Sequence, residues 1–208
     1  NNDYKLSSKV SIGNNISFSN TNLYGDADWN GGRAINSLSR ISPLLSIFQS
    51  DGKTFSAGQD PDVINPYASL YYMKDVHTKP MQIVGNAYLN FEILDGLRFR
   101  SSYGIDYLNN RINSFIPAFN VSSPNQIQAN NALTSGFERN FTWLWENTVT
   151  YDKTINDDHK LTLLGGYTAQ NLDYDLISLT GSNLLSSDSD FRYIQAVDAA
   201  NLSLNTTK

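Results

Sequence analysis

Four carboxylates, Glu92, Asp106, Glu138 and Glu146, are of the type that general acid and base chemistry uses, and their spacing argues against that chemistry. Glu138 and Glu146 fall along what reads as one strand, too far apart for a hydrolytic pair, whose carboxyls sit about 5 to 9.5 Å from each other. No nucleophile with an adjacent base and no glycine-rich phosphate loop accompanies them. The chain has no cysteine and only two histidines, which removes thiol chemistry and a zinc centre from consideration. Asp60-Pro-Asp62 and Asp188-Ser-Asp190 offer oxygens of the kind calcium takes, but neither completes a ligand set, and solvated loop acids are the competing account. The expectation is a protein that is not an enzyme and carries no cofactor or metal. Trp29, Tyr67, Tyr71 and Tyr72 are the candidate substrate-binding residues: exposed aromatic rings stack on sugars or peptides, or else pack their own loop.

The elements that position these groups announce themselves by alternation. Between Met81 and Tyr107, Ile83, Ala87, Leu89, Phe91 and Ile93 share one face, while Gln82, Asn86, Asn90 and Glu92 share the other. After Asp95-Gly96 the pattern resumes with Leu97, Phe99, Tyr103, Ile105 and Tyr107 against Arg98, Arg100, Ser102 and Asp106. A second hairpin sets Phe141, Trp143, Trp145, Val149 and Tyr151 against Glu138, Thr142, Glu146 and Thr148, then Leu161, Leu163, Tyr167 and Ala169 against Thr162, Gly166 and Thr168. Strands are expected at about 4–18, 81–94, 97–115, 137–151 and 159–176. They exceed the globular norm of about 5 to 6 residues and reach the roughly 9 to 11 that a tilted membrane-spanning strand needs. The expected fold class is all-β, an antiparallel transmembrane β-barrel segment of about five strands with long extracellular loops. Leu89, Phe91, Phe99, Trp143, Trp145 and Tyr151 are then lipid-facing, and Glu92, Arg98, Arg100 and Glu146 are lumen-facing. The competing class is a soluble, secreted β-sandwich module that binds carbohydrate, in which the same faces pack sheet on sheet.

Connections sharpen the choice. Short turns at Asp95-Gly96 and 152–158 alternate with long segments at 20–79, 115–136 and beyond 170, as short periplasmic turns alternate with long outer loops in barrels. By that rule the first, third and fifth strands run outward. The loop at 20–79 has helix-like spacing from Ala34 to Leu45, so one short helix is expected there. At 208 residues, 40% hydrophobic and with a net charge of -5, the chain carries no basic stripe for nucleic acid. A mean hydropathy of -0.38 argues against membrane helices and is compatible with a barrel, whose strands show water one face. Asn1 opens the sequence without a leader pattern and the residues after Asp188 read as loop, so the segment is expected to be an internal piece that cannot close a barrel alone.

The succession of phrases resembles the SusC/RagA family of TonB-dependent outer-membrane transporters from Bacteroidota. It runs through Ile41-Ser-Pro-Leu-Leu-Ser-Ile-Phe, Asn65-Pro-Tyr-Ala-Ser-Leu-Tyr-Tyr, Gly85-Asn-Ala-Tyr-Leu, Gly96-Leu-Arg-Phe-Arg-Ser-Ser-Tyr-Gly-Ile-Asp-Tyr, Trp145-Glu-Asn-Thr-Val-Thr-Tyr and His159-Lys-Leu-Thr-Leu-Leu-Gly-Gly-Tyr. The resemblance implies a barrel of about 22 strands around a plug. It also implies energy from TonB, a SusD-like surface lipoprotein as partner, an oligosaccharide or oligopeptide as cargo, and the outer membrane as location. The plug, the TonB-contacting segment and the terminal strands have no counterpart in these residues.

Overall fold

The computed structural model describes residues 1–24, 38–57, 63, 65–121, 127–156 and 159–208. Long alternating runs become long strands. β1 (Asn2–Lys5) and β2 (Val10–Asn20) are followed by β3 (Leu23–Tyr24), β4 (Val76–Leu94) and β5 (Leu97–Ile116). Then come β6 (Phe119–Asn120), β7 (Ile127–Gln128), β8 (Ala132–Ile155), β9 (His159–Ser182) and β10 (Leu202–Thr207). One sheet takes the order β1-β2-β4-β5-β8-β9-β10, antiparallel throughout, with β3 alongside β4; β6 and β7 form a separate ribbon.

Two differences from the sequence reading stand out. The strand expected over 4–18 is a hairpin, turned at 6–9 by the Leu6 amide donating to the Val10 carbonyl. Tyr4 pairs directly with Ile12, so both remain on one face and the alternation passes through the turn unbroken. The tail read as loop contains β10, which extends the sheet beyond β9 and sets Leu204 opposite Leu179.

All short turns lie at one end of the sheet: 6–9, Asp95-Gly96 and the β8–β9 turn. The strand ends that the long connections 21–75, 117–131 and 183–201 join lie at the other. Gly96 sits at φ +80°, a left-handed conformation that glycine enters without a Cβ penalty, and Asn156 opens the β8–β9 turn at φ 52°. The buried side chains gather at the long-loop end. Phe55, Ala68, Met73, Phe119 and Val121 pack against Val76 and Ile116 on one face of the sheet. Phe115, Leu133, Leu184 and Val197 form a second cluster on the other face. Along the strands themselves the large apolar residues stay uncovered: Leu89, Phe91 and Trp145 are about 40% exposed. No second sheet covers them among the described residues, contrary to the packing a sandwich requires.

Helix α1 (Pro66–Tyr72) begins at Asn65, whose side chain accepts from the Tyr67 and Ala68 amides, with Pro66 in the first turn. Of the helix expected over 34–45, Leu38–Arg40 are helical, and Ala34 and Ile35 lie outside the described residues. Among the described residues no helix is long and apolar enough to cross a membrane.

Candidate functional site

Register assembles the site from rows of cross-strand partners. One face carries Ile83, Tyr107 and Phe141 in a row, then Gly85, Ile105 and Trp143, then Ala87, Tyr103, Trp145 and Ala169. Below these come Leu89, Ser101, Asn147 and Tyr167, then Phe91, Phe99, Val149 and Gly165, and finally Leu97, Tyr151 and Leu163. All six residues expected to face lipid lie here. From Leu97 to Tyr107 the apolar face runs ten residue steps, about 33 Å of strand at 3.3 Å per residue, or about 23 Å of height at a 45° tilt. That matches the roughly 25 Å apolar band of an outer-membrane barrel. The next row sets Asn109, Arg139 and Asp175 beside Met81 and holds an Arg139–Asp175 ion pair. Within the band Tyr103 stacks on Trp143, and the Trp145 indole donates to Ser101 Oγ at 3.1 Å, so its one polar group is satisfied on the face itself.

The opposite face is a network of polar bonds between strands. Gln82 donates to Asp106 at 2.9 Å, Arg100 to Asn90 Oδ1 at 3.0 Å, and Asn90 Nδ2 to Ser11 Oγ at 3.2 Å. Gly13 leaves room for the Tyr88 ring, whose hydroxyl donates to Asp3 while the Arg100 guanidinium lies over the ring at 4.1 Å. Glu92, Arg98, Arg100 and Glu146, the expected lumen residues, all fall on this face. Arg98 forms its ion pair with Asp152 rather than with Glu92, its direct partner across β4 and β5. Near the short-turn end, Lys5, Lys9, Glu92, Arg98 and Arg100 border a concavity of about 590 Å³. These charges line an open, polar concavity on this face.

Above the polar face, the loop clusters its aromatic rings. Phe55 meets Phe48, Tyr67, Tyr71 and Tyr72 at centroid distances of 5.1 to 5.9 Å, and Tyr72 stacks on Phe119 at 4.2 Å. The three expected tyrosines therefore separate into two roles. Tyr72 is a packing residue, and burial, with a smaller contribution from Tyr71, pushes its phenol above the ordinary value. Tyr67 and Tyr71 are each 51% exposed on the outer side of the cluster, with Lys74 Nζ 5.2 Å from the Tyr71 ring. Trp29 and the Asp60-Pro-Asp62 pair lie outside the described residues. Asp188 is used as a cap, its carboxylate accepting from the Asp190 amide at the turn Ser189–Phe191.

Two features escaped the sequence reading. Asn65, 2% exposed, holds the loop by donating to the carbonyls of Ile47 at 2.9 Å and Ser56 at 3.1 Å. Arg192 reaches back across the sheet to Asp75 at 2.9 Å and lies 4.0 Å over the Phe115 ring. The Asn-Pro pair at 65–66 is a visible cap signal, whereas nothing local marks a contact between residues 75 and 192.

No family model matches the chain. Curated relatives come from Formosa agariphila: TonB-dependent receptor P3, 31% identical over 140 residues covering 67% of this chain, and TonB-dependent receptor P26, 26% identical over 94% of it. The chain spans 14% and 20% of their lengths. Among solved structures, the RagAB peptide importer in its closed-closed state superposes over 99% of this chain and 23% of the other, with a TM-score of 0.69 at 16% identity. Its open-open state gives 0.68. The fold is thus that of the stretch of antiparallel β-sheet on which the chain superposes in those structures.

Proposed function

We propose, from the premise that the chain is a homologue of TonB-dependent receptors with a RagAB-like fold, that it is wall and outer loop of a SusC-like importer. The parent takes a large nutrient, an oligosaccharide or oligopeptide, across the outer membrane with TonB and a SusD-like lipoprotein. One observation carries the reading: a single sheet holds a bilayer-high apolar face and a hydrogen-bonded polar face, with all short turns at one end and the strand ends that the long loops join at the other.

In this reading the apolar face meets lipid and the polar face lines the lumen, where paired side chains present a hydrated wall to the plug and to passing cargo. Tyr67 and Tyr71 form a stacking surface at the mouth, while Tyr72, Phe55 and Phe119 hold it in place. The wall contributes position and no bond-making step.

Spin labels at Leu89, Phe91 and Val149 of the full-length transporter in lipid vesicles should be quenched by a lipid-soluble reagent, and labels at Asn90 and Thr148 by a water-soluble one. Equal water access at both sets overturns the wall assignment. Replacing Tyr67 and Tyr71 together by Ala should weaken growth on the cognate nutrient while barrel assembly, followed by heat-modifiable gel migration, is unchanged. Normal uptake by that variant removes the stacking role.

A further inference from the structure

Above the apolar band the same outward face changes character. Continuing up β4 and β5 by register, Lys79 stands directly opposite Arg111, with Phe137 and Ile177 completing the row on β8 and β9. Directly opposed side chains have Cβ atoms about 4.5 to 5.5 Å apart, where like charges repel. Neither cation has an acidic partner among the described residues, whereas Arg139 is paired with Asp175 and Arg192 with Asp75. The sheet gains nothing by itself from this juxtaposition, and an anion bridging the two would relieve it.

The surroundings fit one class of anion. Lys79 and Arg111, with His77, Asn113 and Ser135, floor a groove of about 550 Å³ on this face. Its wall is Arg192–Gln195, a segment held against the sheet by the Arg192–Asp75 ion pair and by Ile194 packing on the Phe115 and Leu133 cluster. Laterally the cations border Phe137 and Ile177, each about 40% exposed. The row lies four residues above Tyr107, about 13 Å of strand and so about 9 Å above the last apolar row at a 45° tilt. Headgroups add about 5 to 7 Å on each side of the hydrocarbon, so the backbone of this row stands just outside them and the long Lys79 and Arg111 side chains are of a length to reach back to their level. A guanidinium with its fork of donors beside an ammonium is a good phosphate receptor.

We infer that Lys79 and Arg111 form a binding site for the phosphate of an outer-leaflet lipid headgroup, seated in this groove with its acyl chains descending along the apolar face. The inference rests on the wall assignment proposed above. A soluble phosphate would need neither the apolar band beneath nor the apolar flank beside the cations, which is why the lipid is the assigned source.

The test uses the purified full-length transporter in detergent and diphosphoryl lipid A as probe, with adducts counted by native mass spectrometry. Bound lipid should fall at least tenfold for the Lys79→Gln, Arg111→Gln double variant, survive in Lys79→Arg, and fall similarly when the probe's phosphates are removed. Should the double variant fail to assemble, the dephosphorylated probe on the unaltered protein decides. Equal retention of the dephosphorylated lipid overturns the site, as does displacement of the lipid by a tenfold excess of inorganic phosphate. A spin label at Leu89 in the same protein separates the two claims. Loss of lipid-soluble quenching there overturns the wall assignment and this site with it, whereas retained quenching without phosphate dependence overturns the site alone.

Discussion

A cation placed on the apolar face should report depth. Leu89 lies in the row with Ser101, four residues of β5 above the Leu97 row and six below the Tyr107 row, close to the middle of a band about 23 Å high. On the wall assignment proposed above, Leu89→Arg puts a guanidinium near the bilayer midplane, where the cost on a barrel's lipid face is about 2 to 4 kcal/mol. Ile83→Arg, in the uppermost apolar row, should cost only about 0 to 1 kcal/mol because the side chain reaches the headgroups. Ser102→Arg, on the polar face and directly opposite Glu146, supplies the control and should change stability by less than about 1 kcal/mol. The assay is denaturant-dependent unfolding of the full-length transporter in lipid vesicles, read by the loss of the fast-migrating, heat-modifiable form. A soluble inter-sheet core would penalise Leu89→Arg and Ile83→Arg alike, since it has no headgroup level to escape to. Equal costs at the two positions, or a cost at Leu89 no larger than at Ser102, would refute the reasoning.

Four further outcomes follow from the geometry. Epitope tags after Asp51 should be reachable on whole cells, while tags at Asp95-Gly96 or after Asn156 should be exposed only when the outer membrane is opened; the reverse pattern inverts the sidedness. Gly96→Ala combines a left-handed φ with a Cβ driven into the Asp152 carbonyl oxygen, and should cost about 1 to 3 kcal/mol in the same unfolding assay, against about 1 kcal/mol for Gly52→Ala, where φ is +67° but the space is open. Asp51 has its carboxyl held below the ordinary value, first by the Thr54 hydroxyl and then by the Lys53 and Thr54 amides. A depressed carboxyl pKa stabilises the turn above the unfolded value near 3.8 and loses that contribution as pH falls through the folded one, so protection of the Lys53 and Thr54 amides from hydrogen exchange should drop in that acid window and stay flat above about pH 5. Asn65→Asp keeps the cap acceptor but removes both donors to Ile47 and Ser56, and should loosen 45–57 by about 1 to 3 kcal/mol, seen as faster exchange there with the barrel strands unaffected.

The sequence by itself determined which residues share a face. Side chains alternate with a period of two in any strand, so each strand's apolar and polar sides are separable, and matching apolar side to apolar side groups Leu89, Phe99 and Trp145 against Glu92, Arg100 and Glu146, as the strand pairing has them. It also determined which connections are short, and hence which ends of the strands meet. The hairpin at 6–9 stayed hidden for the same reason, because direct partners such as Tyr4 and Ile12 share a face and the turn leaves the alternation intact. Only the tertiary structure decided what the long loops do. Phe55 packs on Met73 and Val121, and Asp75 pairs with Arg192, through contacts whose sequence separation leaves no periodic trace. That packing makes Tyr72 a structural residue and leaves Tyr67 and Tyr71 outward, although the three read alike as letters. It likewise took register to place Lys79 opposite Arg111, since charge repulsion across a ladder depends on which residues are partners, and partnership is fixed by pairing between strands rather than by any one strand's sequence.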